Sequence, residues 1–562
     1  MNKRLLLGIL SFVLLFLVAC GQGGGNQQAD TGAATGGNNA AAATDQPADA
    51  SADELDMLNL PWTTPYPETI TITTVNREMG GLIFPGEDTH DDNIWTRLAA
   101  ERLNIQLVND WISAEYETTL NLAIAAGNLP DIFWVSNPQF RQVVQANLVA
   151  DLTEAYDRLA SDTLRRLQDA DPTVLEAARI DGRLLGIPRL GFGNNVEQPI
   201  WMFLRYDWWR DLGAIVPQTM ADLEYILHQM NDVYGARGMA LDNTLGPLLR
   251  MAASWHAYPL NWVDTPNGIE HGGIQPEMRN ALEHWARWYA EGLIAPEFAA
   301  RDFDAMGQDI FNELHGAQPM WQWQGWAQGA SNVRINGPDA WMRPFVIPTI
   351  DGEQLMIPIQ FDNGGEIVVV NSNFAYPEAA IKLINLYVHM TIDAFPSEID
   401  MDEFTLMTAN DVVHWPSFRI NNPLSEYQQM VEVQWALAND RDTSRFTIPM
   451  GLAKFTELIR WFDYADPDGL GPAVQLGFPE YSAYVLAAPF FHNDWFMRCM
   501  MWGPAPDAHL RLGGLLNSML LEGYTQIIMG IQPIEYFDTL VANWRAAGGD
   551  EVTAAVNEEF GR

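Results

Sequence analysis

Five tryptophans, Trp134, Trp255, Trp262, Trp323 and Trp326, and four polar residues, Arg77, Asn137, Asp362 and Asn363, are the side chains best suited to hold a ligand. A flat indole matches the apolar face of a pyranose ring, while guanidinium, amide and carboxylate groups hydrogen-bond its hydroxyls. With 21 Trp, 16 Tyr and 25 Phe in 562 residues, the set points to a carbohydrate rather than a peptide or an inorganic ion. Each ring taken singly has an equal claim to a place in the core.

Chemistry that makes or breaks bonds is less visible. The chain has no GxSxG elbow, no HExxH zinc site and no phosphate loop ending in GK[ST]. A glycoside hydrolase needs an acid and a second carboxylate across the sugar, and 72 Asp and Glu supply such pairs anywhere, so that alternative stays open. His256, in Ser254-Trp255-His256, is the histidine nearest an aromatic cluster and reads as structural.

The elements that must position these side chains alternate along the chain. Strand patterns at 68–76, 105–109 and 131–135 are separated by helical patterns at 92–103 and 116–126, which predicts a parallel α/β lobe. Ligands of such sheets sit beyond the carboxyl ends of the strands, here near Asn76-Arg77, Asp110-Trp111 and Ser136-Asn137. Residues 181–207 then carry a turn at Asp181-Gly182, a short run stopped by Pro188, a Gly/Asn-rich link and a second apolar run from Ile200 to Leu204. They read as the crossing into a second lobe.

In that lobe, Thr219 to Asp222 is a capping-box variant before the helical face Leu223, Ile226, Leu227, Met230. Pro276 opens a helix with the stripe Met278, Ala281, Leu282, Trp285, Tyr289. Trp321, Trp323 and Trp326 crowd a short strand and the helix start after it. Strand-like runs at 341–348 and 366–370 flank Phe361-Asp362-Asn363-Gly364-Gly365, a second crossing, and Pro377 opens a helix through 388. The remainder is mostly helical, with an amphipathic helix at 534–544, a Gly548-Gly549 stop and a last helix from Asp550.

Lys3 and Arg4 precede an apolar run too short to span a membrane comfortably, followed by Leu-Val-Ala-Cys at 17–20. From 21 to about 53 the composition falls to Gly, Ala, Asn, Gln, Thr and Asp, which cannot bury enough surface to offset ordering and predicts a flexible tether. The formal net charge is −41, or −43 once Lys3 and Arg4 are removed, which argues against nucleic acid and anionic headgroups as partners. Lysine occurs three times, as Lys3, Lys382 and Lys454. Only Cys20 and Cys499 are present, and Cys499 sits in an apolar run that predicts a buried thiol.

Residues 17–20 resemble a bacterial lipoprotein box, which implies lipidation of Cys20. Four further stretches resemble extracellular solute-binding proteins of family 1, in its large lipoprotein branch linked with oligosaccharide uptake. They are DGRLLGIP at 181–188, MFLRYDWWRDLGAIVPQTMADL at 202–223, YPEAAIKLINLY at 376–387 and YTQIIMGIQPIEYFDTLVANWRAAGGDEVTAAVNEEF at 524–560. The resemblance implies an α/β, two-lobed periplasmic-binding-protein-like fold of the second type with a helical C-terminal region.

The expected organisation is a signal peptide at 1–20, a tether at 21–60, the first part of lobe 1 at 61–195 and lobe 2 at 196–344. Residues 345–562 return to lobe 1 and form a helical region contributing to both lobes. The implied protein is a monomer without enzymatic activity or cofactor, held to the membrane only by its lipid. It captures a carbohydrate between its lobes and presents it to ABC permease subunits. Members of this branch often carry a calcium loop after the helix matching 223–233, but VYGARGMALDN at 233–243 lacks alternating oxygen ligands, so no metal is expected there. A surface scaffold without ligand-driven closure is the third reading.

Overall fold

The computed structural model describes residues 56–78, 84–169, 172–190, 199–359, 366–393, 415–422, 424–501 and 505–561, with single positions between 400 and 412. Cys20, Asp362 and Asn363 lie outside the described residues.

The first lobe is laid down by β1 (Ile70–Arg77), α1 (Ile94–Leu103), β2 (Ile105–Ser113), α2 (Tyr116–Ala126), β3 (Ile132–Ser136) and α3 (Asn137–Gln145). Local chemistry sets these bounds. Asn93 closes a capping box on α1, Asn104 ends it in a left-handed turn, and Gly127 ends α2 in the same way. β1 and β2 pair in parallel, and Asp131 ties β3 alongside them by accepting the Thr73 amide at 2.8 Å. Next come α4 (Thr153–Leu159), α5 (Asp162–Asp169) and α6 (Pro172–Glu176), then a hairpin of β4 (Arg179–Ile180) and β5 (Arg183–Leu184). Its turn places both Asp181 and Gly182 at positive φ (51° and 77°), which the strand twist favours.

β6 (Ile187–Pro188) ends this segment. The chain re-enters the same core at β13 (Glu366–Val370), which pairs antiparallel with both β3 and β6. The lobe therefore combines a parallel pair, β1-β2, with an antiparallel sheet ordered β3-β13-β6, rather than forming one parallel sheet. Gly186 allows the close approach, since a Cβ there would lie 2.5 Å from Ile367 Cγ2. β3 and β13 are buried over nearly their whole length, as strands covered on both faces must be. α13 (Glu378–Val388) covers one side, packing on α4 and α5.

The second lobe opens with β7 (Ile200–Arg205), all six residues buried. It continues through α7 (Tyr206–Asp211), α8 (Met220–Tyr234), α9 (Gly246–Met251), the hairpin β8 (Trp262–Thr265) and β9 (Gly268–His271), and α10 (Pro276–Ala290). α11 (Phe303–Phe311), β10 (Ala317–Trp321), α12 (Ala330–Asn336), β11 (Met342–Phe345) and β12 (Ile357–Ile359) complete it. β7 is the centre of a sheet ordered β10-β7-β11, with both neighbours antiparallel to it.

Strand alternation divides the lobe into two cores. Ile200, Met202 and Leu204 pack with α8, α10 and the C-terminal helices Asp507–Ile528, Tyr536–Trp544 and Asp550–Phe560. Trp201 and Phe203 face the helices Ser425–Ala438, Pro449–Tyr464 and Ala483–Asn493. Along α10 the buried stripe is Met278, Ala281, Leu282, Trp285 and Trp288, not Tyr289. The shift of one position lets Trp288 donate to Glu224 across α8 while Tyr289 reaches the Pro296 carbonyl.

Both described lysines are buried. Lys454 forms an ion pair with Glu426 at 2.7 Å, and Lys382 donates to the Thr64 carbonyl at 2.5 Å. Burial pulls Lys382 down to about 8. Cys499 is buried, as the apolar run around it predicts.

Candidate functional site

The lobe-1 face of the site lies where β1, β3 and β6 end and β13 begins, the edge at which the chain leaves for lobe 2 and returns. Trp134 of β3 stacks flat on Tyr116 at 3.9 Å and 5°. The guanidinium of Arg77, at the end of β1, is 5.0 Å from the Trp134 ring centre, and that of Arg189, just after β6, is 5.4 Å away.

Arg189 is buried and pairs with Glu366, the first residue of β13, at 2.7 Å. Its backbone N–H also donates to the Glu366 carbonyl at 3.0 Å. Arg419 approaches the same carboxylate at 3.7 Å. Burial first, and the charge of Arg419 second, lower Arg189 to about 9, with Glu366 opposing them. Arg189 Nε is buried without a hydrogen-bond partner.

Trp134 is only 4% exposed, so it serves as the floor on which the arginines rest. Arg77 is its solvent-facing member, with a side chain 42% exposed that pairs with Glu117 at 3.2 Å. Asn137 is half-buried at the start of α3, where the capping box of Ser136 and Gln139 fixes the helix entry. At the end of β2, Trp111 tilts against Tyr116 at 5.3 Å.

The lobe-2 face is built at the end of β10. Trp321 pairs with Ile200, the first residue of β7, so it also lies at the crossing edge. Trp321 and Trp323 stand parallel, 5.6 Å apart and 5° from coplanar orientation, and both are half-buried. Arg250 lies 5.7 Å from the Trp321 ring centre, and Phe303 tilts against Trp323 at 5.8 Å. Trp321 Nε1 and, in the segment after it, Gln322 Oε1 and the complete side-chain amides of Gln324 and Gln328 are buried without protein partners. Buried amides without partners are costly, so a run of them in one segment marks it for attention as a polar site.

The other sequence candidates are placed elsewhere. Trp255 is a core residue, 3% exposed, with its ring 5.7 Å from Trp285 and 5.6 Å from Trp288. Trp262 is on β8, where its ring meets His271 edge-on at 5.2 Å. Trp326 is 37% exposed and packs over Gly471, with the Lys454 ammonium 5.3 Å from its ring.

Arg77, Trp134 and Asn137 lie together at the crossing edge of lobe 1, and Trp323 lies just past the end of β10 in lobe 2. The structure adds Tyr116, Arg189, Glu366 and Arg419 on lobe 1, and Arg250 and Trp321 on lobe 2. Trp321 had a signal in sequence: it is two residues before Trp323, the spacing that keeps extended neighbours on one face. Arg189 and Arg419 had none, because their meeting at Glu366 joins three distant segments. Among the described residues no group of three His, Cys, Asp or Glu could hold a metal ion.

Two α/β lobes joined by chain crossings define the class of two-lobed binding proteins. The chain belongs to the bacterial extracellular solute-binding proteins, whose family model matches residues 101–389, about half of its length. That is a family of binding proteins rather than of enzymes.

Among curated relatives it is similar to Lipoprotein LipO of Bacillus subtilis, 24% identical over 208 residues, 34% of this chain and 39% of LipO. It is also similar to the Polygalacturonan/rhamnogalacturonan-binding protein YtcQ of the same organism, 22% identical over 327 residues, 56% of this chain and 61% of YtcQ. The chain thus spans less than two thirds of the length of either.

Among solved structures, the alginate-binding protein AlgQ2 without calcium ion matches with a TM-score of 0.58 at 15% identity, covering 90% of this chain and 100% of that one. A Bifidobacterium longum infantis solute-binding protein, described as HMO binding and ABC-transporter associated, gives 0.57 at 14%, covering 88% and 99%. These likenesses show the two-lobed fold. No helix among the described residues is long and apolar enough to cross a membrane.

Proposed function

We propose that this protein is a lipid-anchored extracytoplasmic binding protein that captures an oligosaccharide between its lobes and delivers it to an ABC importer. The observation that carries the reading is the parallel pair Trp321 and Trp323, half-buried, in a segment whose Gln324 and Gln328 amides are buried without partners. Parallel indoles offer faces to successive sugar rings, and the amides supply hydroxyl partners. Arg77 and Arg250 bring guanidinium groups from opposite walls, so a ligand bound to both would favour the closed state and shift the population toward it. LipO is named a lipoprotein and YtcQ a polygalacturonan/rhamnogalacturonan-binding protein, which supports an anchor at Cys20 and a glycan cargo.

The test is a thermal-melt panel in which neutral oligosaccharides are paired with uronic-acid counterparts, with peptides and amino acids as controls. A ligand at a hundred times its Kd adds about 2.7 kcal/mol to folded stability. A shift with one glycan class, without turnover of the glycan, supports the reading and names the cargo. Flat melts across the glycan panel, or release of cleaved sugar, sink it. For the anchor, Cys20→Ala should move the protein from the membrane fraction to the soluble one.

A further inference from the structure

Trp326 stands outside the parallel pair Trp321 and Trp323, and it is the most open indole of the protein. At 37% exposure it is the one described tryptophan that is neither buried nor half-buried. An indole left in water forgoes part of the gain from burying a side chain of roughly 150–250 Å². A loose ring on the surface would call for no explanation, but this one is clamped.

Its seat is a stretch of bare backbone. A Cβ on Gly471 would lie 2.5 Å from Cδ2 and 2.6 Å from both Cγ and Cε2 of the ring, so one indole face rests on Gly471. Gly325, the residue before Trp326, packs on the same backbone, since a Cβ there would lie 3.1 Å from Gly471 Cα. The Lys454 ammonium is 5.3 Å from the ring centre and is itself fixed by Glu426 at 2.7 Å. With one face covered, the exposed area belongs to the other face and the ring edge.

One hydrogen bond sets where that open face lies. The Trp326 N–H donates to the Trp323 carbonyl at 3.0 Å and closes a single turn. Residues three apart across such a turn share a side, with Cβ atoms about 5–6 Å apart. Trp323 in turn stands parallel to Trp321, 5.6 Å away. The three indoles therefore form a row that starts at the end of β10 and runs onto the helical turn Gly325–Gly329. Openness grows along it, from half-buried Trp321 and Trp323 to exposed Trp326. No charged residue occurs from Gln318 to Gly329, so the row offers ring faces rather than ionic contacts.

We propose that Trp326 is the outermost stacking platform of the cleft, and that the protein selects its glycan by length. This rests on the oligosaccharide reading of the Trp321 and Trp323 pair. A disaccharide can cover those two rings; a longer chain also lays the apolar face of a sugar unit on Trp326. Because the ring is seated before the ligand arrives, little ordering cost opposes that added contact.

The experiment titrates the full chain in detergent by calorimetry with two ladders, cello-oligosaccharides and oligogalacturonides, each from disaccharide to hexasaccharide. In the parent, affinity should rise about tenfold or more between the disaccharide and the longer members of the ladder that binds. Trp326→Ala should keep the disaccharide affinity and lose the gain with length, while Trp326→Tyr, which retains a ring, should keep part of it. Parent affinity that does not rise with length, or a rise that Trp326→Ala leaves intact, overturns the proposal and leaves the cleft reading standing. Equal losses for the disaccharide and the longer members would make the ring a structural support, which overturns it as well. A parent that binds no member of either ladder sinks the proposal together with the reading beneath it. Should Trp326→Ala melt far below the parent, Trp326→Tyr decides, by whether it lowers affinity for the longer members alone.

Discussion

Three tryptophans of the proposed cleft carry different burdens. Trp134 is sandwiched among Tyr116, Arg77 and Arg189, whereas Trp321 and Trp323 leave part of each ring open. Trp134→Ala should therefore cost about 3–5 kcal/mol of stability, the range for emptying a buried aromatic site. Trp321→Ala should weaken ligand binding by about tenfold or more with a much smaller change in melting temperature. Melting and titration of the two variants side by side check this, and equal effects on both readouts would contradict it.

Sequence could supply these rings but could not rank them. A tryptophan in a strand has the same pattern whether its face meets a ligand or a neighbour, and only the stacking of Tyr116 on Trp134 separates the two cases. For the same reason Trp255 was indistinguishable from a ligand platform until α10 was seen to cover it.

Glu457 is another residue whose behaviour depends on its surroundings. Burial raises it to about 7, against the opposing charges of Lys454 and Arg460. A raised folded-state value means that the proton stabilises the fold: the contribution is full below the unfolded value near 4.5 and is lost as pH rises through 7. His271, lowered to about 4, has the opposite slope, with stability rising between about 4 and 6.5. Comparing Glu457→Gln with the parent cancels that background. The variant should match the parent near pH 4 and exceed it by about 1–3 kcal/mol at pH 8, measured by denaturant unfolding.

At the scale of elements, helices and strands with strong local signals were legible to the residue. The helical pattern at 116–126 is α2, the strand-like run at 366–370 is β13, and the helix opened by Pro377 is α13. Less legible were features set by partners. β2 continues to Ser113 because β1 offers a matching edge past a bulge at Thr74 and Val75. The direction of β13 follows from where the second crossing delivers it.

Gly238 shows an element junction with no local explanation. Its φ is +77°, and a Cβ there would lie 2.4 Å from the Leu293 backbone carbon, because Met239 bridges to both Ile294 and Ala317. Gly238→Ala should therefore destabilise by more than the roughly 1 kcal/mol of an ordinary backbone substitution. Gly213→Ala, at φ +101° with open space around it, isolates the backbone term. Equal losses in the two variants would show that the close approach does not matter.

For the whole molecule, the contact most relevant to motion joins α3 of lobe 1 to the C-terminal helices of lobe 2. Arg141 pairs with Asp507 at 2.8 Å and reaches Glu559 at 4.0 Å. A solvent-accessible pair of this kind contributes about 0–1 kcal/mol and is screened by salt. If it favours the closed arrangement, Arg141→Gln should reduce ligand affinity by up to about fivefold at low ionic strength, with the difference vanishing at high salt. Calorimetry at two salt concentrations checks it; unchanged affinity at low salt would mean the pair persists through opening. That such a pair exists could not be read from the chain, since its partners are 366 residues apart.

The burial of Lys382 and Lys454 reaches beyond stability. With Lys3 expected to leave with the leader, the folded body offers amine-directed reagents no accessible side chain. Acylating dyes and lysine crosslinkers should leave its lysine side chains unmarked until it unfolds, and trypsin can enter the folded body only at arginine. Uptake of such a label by this chain would then report the opening of its core.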